Sequence, residues 1–234
     1  NAPLDYSSQG RAVTTKDYEV FVRKLFPNTQ SVSVWGGEDG SYNSATGVSS
    51  TPEYGKVFIS IKSTTGVDLT SAQKTNLETA LAPYKVASIT PVVVDTDTTS
   101  LILGITIMYD SSATTYTADQ ITSLVSTTVS NYNSSDLQTF NAPFRHSKLL
   151  GLIDGTDSSI LNSVATVTMS KLFTPTISTA TDYRLNFNNR FYNPHSGHNA
   201  SAGGIIASTG FYLNSVTTTT YFFDDDGIGN LRIY

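Results

Sequence analysis

Apolar residues recur at helical spacing in three stretches of the chain, and each stretch opens on the same polar signature. Tyr18, Phe21, Val22 and Leu25 follow Thr14 and Asp17. Leu77, Ala80, Leu81 and Tyr84 follow Thr70 and Gln73. Ile121, Leu124, Val125, Val129 and Tyr132 follow Thr117, with Gln120 or Asp119 as its partner. A Thr hydroxyl at such a start accepts from a free backbone N–H, and the longer side chain three residues on returns the bond, so three capped helices are predicted. Pro27 and Pro83 stand where the first two must stop, because Pro has no N–H to donate and its ring clashes with the preceding turn.

Between the helices the period changes to two. Ser31 to Trp35 alternates, and Val57, Ile59 and Ile61 alternate with Phe58, Ser60 and Lys62. Pro91 to Val94 and Leu101 to Tyr109 are expected to form a hairpin around DTDTTS. A helix between the second and third strands implies that those two run parallel, while the short connections imply antiparallel neighbours. The class is therefore α+β: a small mixed sheet with helices on one face, related to the ferredoxin-like split arrangement, followed by a β-rich C-terminal domain. Residues 1–140 are expected to hold the α+β domain, 141–180 a connector helix and strand, and 181–234 the β-rich domain. In the connector a short amphipathic helix from Arg145 leads through an Ile-Asp-Gly turn into a strand, where Ala165, Val167 and Met169 alternate with Thr166, Thr168 and Ser170. The stretch Gly36 to Pro52 is long, small and polar, so a mobile loop or an insertion is expected there. No internal repeat is evident.

Composition narrows the functions. Only 14% of residues are charged, the net charge is -5 and the pI is about 5.0, which leaves no cluster of Lys and Arg for a phosphate backbone. Nucleic acid is excluded as a main partner. The absence of cysteine removes disulfides, thiolate metal sites and thiol nucleophiles. No apolar run has membrane-spanning length and the start shows no signal-peptide pattern. Because the first residue is Asn1 rather than Met, the chain is expected to be a piece of a longer polypeptide.

Candidate chemistry is sparse. Asp224, Asp225 and Asp226 are consecutive, whereas calcium loops place oxygens at alternating positions and add a bidentate Glu; an Asp-Gly hairpin turn is the better account. His195 and His198 have an H-x-x-H spacing, but Pro and Gly around them preclude one helical face, so a solvated loop is expected rather than zinc. His146 stands at a helix start. Asp95 and Asp97 would share a strand face as a carboxylate pair does, yet they fall in a connection where Asp satisfies its own backbone. Neither WGGED nor Gly203-Gly204 has phosphate-loop or dinucleotide spacing, and no G-x-S-x-G occurs. No metal, cofactor or catalytic residue is assigned. Trp35, the single tryptophan, is either a core residue at the sheet end or an interface anchor, since Trp and Tyr dominate binding hot spots. The surface residues singled out for interaction are Trp35, Gly36, Gly37, Glu38, Asp39, Tyr54, His195, His198, Phe211 and Tyr212.

Several stretches carry a likeness. DYEVFVRKLFP, VWGGED (Val34 to Asp39), YGKVFISIK (Tyr54 to Lys62), the YKV at Tyr84 to Val86 and SKLLGLIDGTDSSIL together resemble the baseplate wedge proteins of contractile-tailed bacteriophages, of the baseplate-J-like family. The Gly40 to Pro52 loop and the C-terminal half depart from that pattern. The resemblance implies the C-terminal part of a longer wedge subunit, built into the virion tail baseplate and assembled in the host bacterial cytoplasm. It implies partners too: copies of itself and other wedge proteins, closing a ring around a central hub that rearranges on sheath contraction. It carries no catalytic residues over. A tail-tip or adhesin-type glycan-binding module is the alternative, and a carboxylate or metal hydrolase ranks third.

Overall fold

The computed structural model describes residues 10–43, 47–49, 51–176, 178–191, 205–226 and 230–233. The chain divides into two compact units, Asn1–Leu185 and Asn186–Tyr234.

The first unit begins with α1 (Thr15–Leu25), β1 (Thr29–Gly36), the short strands β2 (Tyr42–Asn43) and β3 (Val48–Ser49), and β4 (Lys56–Ser63). It continues through α2 (Ser71–Leu81) and β5 (Thr90–Val94). Thr14 and Thr70 cap α1 and α2 as full capping boxes: Thr14 N donates to Asp17 Oδ2 at 2.8 Å and Thr70 N to Gln73 Oε1 at 2.9 Å. The helices end at Leu25 and Leu81, just before the two prolines. β4 is the central strand of a three-stranded sheet, antiparallel to β1 and parallel to β5, with Ile59 level with both Val34 and Val93. The parallel pair follows from α2 acting as the crossover. In a split arrangement another strand would separate the two parallel ones; here β4 and β5 are direct neighbours. Tyr18, Phe21 and Val22 of α1 and Leu77 and Leu81 of α2 bury against Val32, Ile59, Ile61 and Val93, so both helices share one face and one core.

Next come β6 (Ser100–Tyr109), α3 (Ala118–Asp136), α4 (His146–Asp154) and β7 (Ile160–Ser170). The expected hairpin between Pro91–Val94 and Leu101–Tyr109 does not form. β5 belongs to the first sheet, and β6 pairs instead with β7, antiparallel from Ser100↔Ser170 to Tyr109↔Ile160. The physical reason is that Asp95, Thr96 and Asp97 of the five-residue link bond to Lys74, Asp68 and Lys171 instead of closing a turn, while β6 and β7 offer ten residues of matching alternation. α3 opens on the third capping box, Thr117 with Gln120. Ile121, Val125 and Tyr132 of α3 join Leu149 and Ile153 of α4 and Ile160 in a second core, on which Leu103, Ile105 and Ile107 rest. The helix, turn and strand expected from Arg145 to Ser170 are all present, and Asp157 shapes the turn by accepting from Ser159 N at 2.9 Å.

The unit Asn186–Tyr234 is β-rich: β8 (Phe223–Asp225) and β9 (Leu231–Ile233) pair antiparallel, and single bridges join Ala207 to Asp224 and Phe211 to Tyr221. The mixed α+β class with a β-rich sequel therefore holds.

Candidate interaction site

Of the residues singled out for interaction, six meet at one corner of the first sheet. Trp35 is level with Phe58 across β1 and β4, and the two rings sit 5.9 Å apart at 31°. The indole Nε1 donates to Gly40 O at 2.9 Å, so the half-buried tryptophan ties down the start of the following loop. Gly36 ends β1, and Gly37 to Asp39 make one turn of 3-10 helix. Gly37 is buried with its carbonyl accepting from Glu53 N at 2.8 Å; a Cβ there would lie 1.9 Å from Glu53 O, so only glycine fits. Glu38 and Asp39 are exposed, and Tyr54, next to the Glu53 anchor, is 84% exposed. Trp35 thus spends its hydrogen bond inside the chain, and the accessible chemistry here is two carboxylates and a phenol.

Phe211 and Tyr212 lie in the β-rich unit. Phe211 exchanges backbone hydrogen bonds of 2.8 Å with Tyr221 and packs its ring on Tyr221 and Phe223, while Tyr212 is exposed. His195 and His198, with Gly203 and Gly204, fall outside the described residues.

The acidic candidates do not converge on a reacting centre. Asp95 pairs with Lys74 at 2.6 Å and Asp97 with Lys171 at 2.5 and 2.6 Å, so each carboxylate faces its own cation. They flank an open cleft of about 360 Å³, lined also by Tyr42, Asp68 and Thr96. Burial, with the nearby Asp97 charge, pushes the Tyr42 hydroxyl up from its usual pKa. In the β8–β9 hairpin the three aspartates diverge, as a turn requires. Asp224 takes a bidentate bond from Arg232 at 2.9 and 2.8 Å, Asp225 accepts from Ile205 and Ile206 N at 2.6 and 2.7 Å, and Asp226 holds Asn230. The Asp224 partner holds the Arg232 guanidinium above its ordinary pKa. His146 opens α4 and shares a 3.0 Å hydrogen bond with Ala165 O of β7. Among the described residues no group of three His, Asp or Glu side chains is placed to hold a metal ion.

Two features escaped the sequence. The face of β6–β7 away from the helices shows Ile102, Met108 and Val164 to solvent, and neither strand carries a charge. Lys171, the only basic residue between Lys148 and Arg184, was a legible oddity directly after the apolar β7, but its partners are remote in sequence.

Comparison with known proteins gives three matches. Residues 14–94 match the family described as baseplate structural protein gp6, C-terminal domain I, and residues 100–172 match gp6, C-terminal domain III. Baseplate wedge protein gp6 of Enterobacteria phage T4 is 25% identical over 163 residues, which is 69% of this chain and 23% of that protein. The matched region spans about a quarter of that curated relative.

Proposed function

We propose that this chain, which belongs to the gp6-like family of phage baseplate wedge proteins and corresponds to part of its C-terminal region, acts as a structural block of a contractile-tail baseplate. In this role it holds neighbouring subunits at set positions. It pairs with copies of itself, touches other wedge proteins and closes a ring around the central hub. The protein is made and assembled in the host bacterial cytoplasm and ends in the tail of the virion.

One observation carries the proposal: the family boundaries coincide with physical ones. The first hydrophobic core lies within residues 14–94 apart from Ala12, and the second lies wholly within 100–172. The inherited units are thus packing units. On the same grounds we read residues 10–172 as two packing modules rather than one module and a connector. The uncharged outer face of β6–β7 and the exposed Glu38, Asp39, Tyr54 and Tyr212 supply the kinds of surface that wet, repeated protein contacts use. No catalytic group is needed for this role.

The test is sedimentation of the full-length protein, alone and with the other wedge proteins of the same baseplate. Self-association or co-assembly is the expected result. A full-length protein that stays monomeric and ignores those partners would sink the proposal.

A further inference from the structure

The chain leaves the first module through residues 95–97 and returns to it through 171–184, and both passages run beside the small hairpin of β2 and β3. On the way out three consecutive residues are pinned. Asp95 is held by Lys74 at 2.6 Å, and its carbonyl accepts from Ser60 Oγ at 3.3 Å. Thr96 Oγ1 donates to Asp68 Oδ1 at 2.7 Å. Asp97 takes both of its bonds from Lys171, the residue that follows β7. The Lys171 side chain is only 4% exposed, and its ammonium lies 5.4 Å from the centre of the Tyr42 ring. A buried ammonium held by a carboxylate and an aromatic face is expensive to move, since leaving the carboxylate gives up most of the compensation for its burial.

The return passage is gripped by the same hairpin. Gly47 adopts φ +71°, and a Cβ there would come within 2.9 Å of the Phe173 ring. Phe173 packs on Tyr183 at 5.5 Å, Tyr183 bridges to Val48, and Arg184 N donates to Gly47 O at 3.1 Å. The Tyr183 hydroxyl closes the turn by accepting from Thr176 N at 2.8 Å. The polar stretch expected to be a mobile loop or an insertion therefore contains a hairpin whose partner is the chain's own return segment.

We infer that the hairpin of β2 and β3 is an intramolecular clasp: through Tyr42, Gly47 and Val48 it grips Lys171, Phe173 and Tyr183, and so locks the two packing modules into one rigid body. A five-residue linker and the Phe140 N to Ser31 Oγ hydrogen bond of 3.2 Å would leave the modules room to swing; a second crossing, tied to the first through Asp97 and Lys171 and gripped by the hairpin, removes that freedom. The inference concerns geometry within one chain and holds whichever surfaces the assembly uses.

The chain has no cysteine, so within it an introduced pair supplies the only thiols, and any cysteine elsewhere in the full-length protein is first replaced by serine. Spin labels on Asn76→Cys in α2 and Ser126→Cys in α3, both exposed helical positions, measure the distance between modules in the full-length protein. The parent gives one narrow distribution. Lys171→Met combined with Tyr42→Ala broadens it at least two-fold while helical circular dichroism is retained. If that pair fails to fold, Asp97→Ala breaks the same contact from its more exposed side and gives the same broadening. An unchanged width in a folded variant overturns the inference. Sedimentation of the same variants with wedge partners is scored separately, so a failed clasp and a failed baseplate role are distinguishable.

Discussion

β4 and β6 are both apolar strands of alternating pattern, and they meet opposite fates. In β4 both faces are closed: Ile59 and Ile61 lie under the helices, while Phe58 and Ser60 are buried on the other side. In β6, the more apolar of the two, every second residue faces solvent, with Ile102 59% and Met108 63% exposed. Hydrophobicity along a strand sets which faces it can bury; the number of layers stacked on it decides which faces it does bury. β4 has strands on both sides and chain packed over both faces, whereas β6 has one strand beside it and helices on one face.

The largest test of this contrast is a pair of truncations. Ile59→Ala empties a site that is 0% exposed and should cost about 3–4 kcal/mol in urea unfolding. Ile102→Ala should change stability by no more than about 0.5 kcal/mol, because its side chain has little to lose. A cost above about 2 kcal/mol for Ile102→Ala in the isolated protein would mean that the outer face of β6 is covered after all. Unchanged stability when isolated, joined to weaker assembly, would sharpen the contrast into a contact surface.

Glycines make the second comparison. Gly37→Ala would drive a Cβ into a backbone oxygen, Glu53 O, and should cost about 2 kcal/mol as the β1 end and the 53 anchor separate. Gly104→Ala in β6 meets only the Thr166 hydroxyl, a side chain that can rotate, and strand glycines weaken strands. It should be neutral or slightly stabilising by thermal melting. Similar losses at both positions would show the β6 face to be as tightly packed as the Trp35 corner.

Local chemistry made much of the fold legible. The three Thr-led capping boxes, both proline stops and the parallel sense of β4 and β5 follow from residues near one another in sequence. The failure at Asp95 to Asp97 is instructive for the same reason. Seen locally, DTDTTS is a turn; its side chains in fact belong to Asp68, Lys74 and Lys171, the last of them 74 residues away. Side-chain partners at that range leave no periodic trace. The Gly36 to Pro52 stretch lies between two strands, as the insertion alternative had it, but its composition shows polarity and not the Phe173 and Tyr183 rings that settle on it. At the candidate corner the sequence singled out Trp35 and the two glycines, while the close approach of Gly37 to Glu53 and the inward hydrogen bond of Trp35 to Gly40 were invisible.

A smaller effect separates the two cores. Tyr18 in the first is buried, and its hydroxyl has no hydrogen-bond partner among the described residues. Tyr132 in the second is equally buried, but its hydroxyl accepts from Arg145 N at 3.0 Å. Tyr18→Phe should therefore raise stability by about 1 kcal/mol, whereas Tyr132→Phe should lower it by a similar amount. Burial also holds the Tyr18 hydroxyl above its ordinary pKa of 10.0. The unfolded chain then gives up this proton first, so the protein's stability does not depend on this ionisation below about pH 10 and falls as pH rises from there through the folded value. Melting temperatures between pH 9 and 11 should show a steeper alkaline fall in the parent than in Tyr18→Phe. Parallel curves would show that Tyr18 titrates freely.

The smallest expected effect lies at the helix starts. α1 begins with a complete capping box, whereas α4 begins after Arg145, whose side chain caps nothing. Thr14→Ala should cost about 1 kcal/mol, and Arg145→Ser should gain about 0.5 kcal/mol by offering the first turn of α4 a hydroxyl acceptor. The Arg145 backbone bond to Tyr132 survives that change, because it uses the main-chain N–H. What is lost is the guanidinium's influence on Asp136, whose carboxyl is held below its usual pKa first by Lys148, then by Ser135, and least by Arg145. In a chain of this size the gain amounts to about 1–2 °C in melting temperature. A fall instead would show that the pull of Arg145 on Asp136 outweighs the missing cap, and the second module would then owe its helix start to charge where the first owes it to hydrogen bonds.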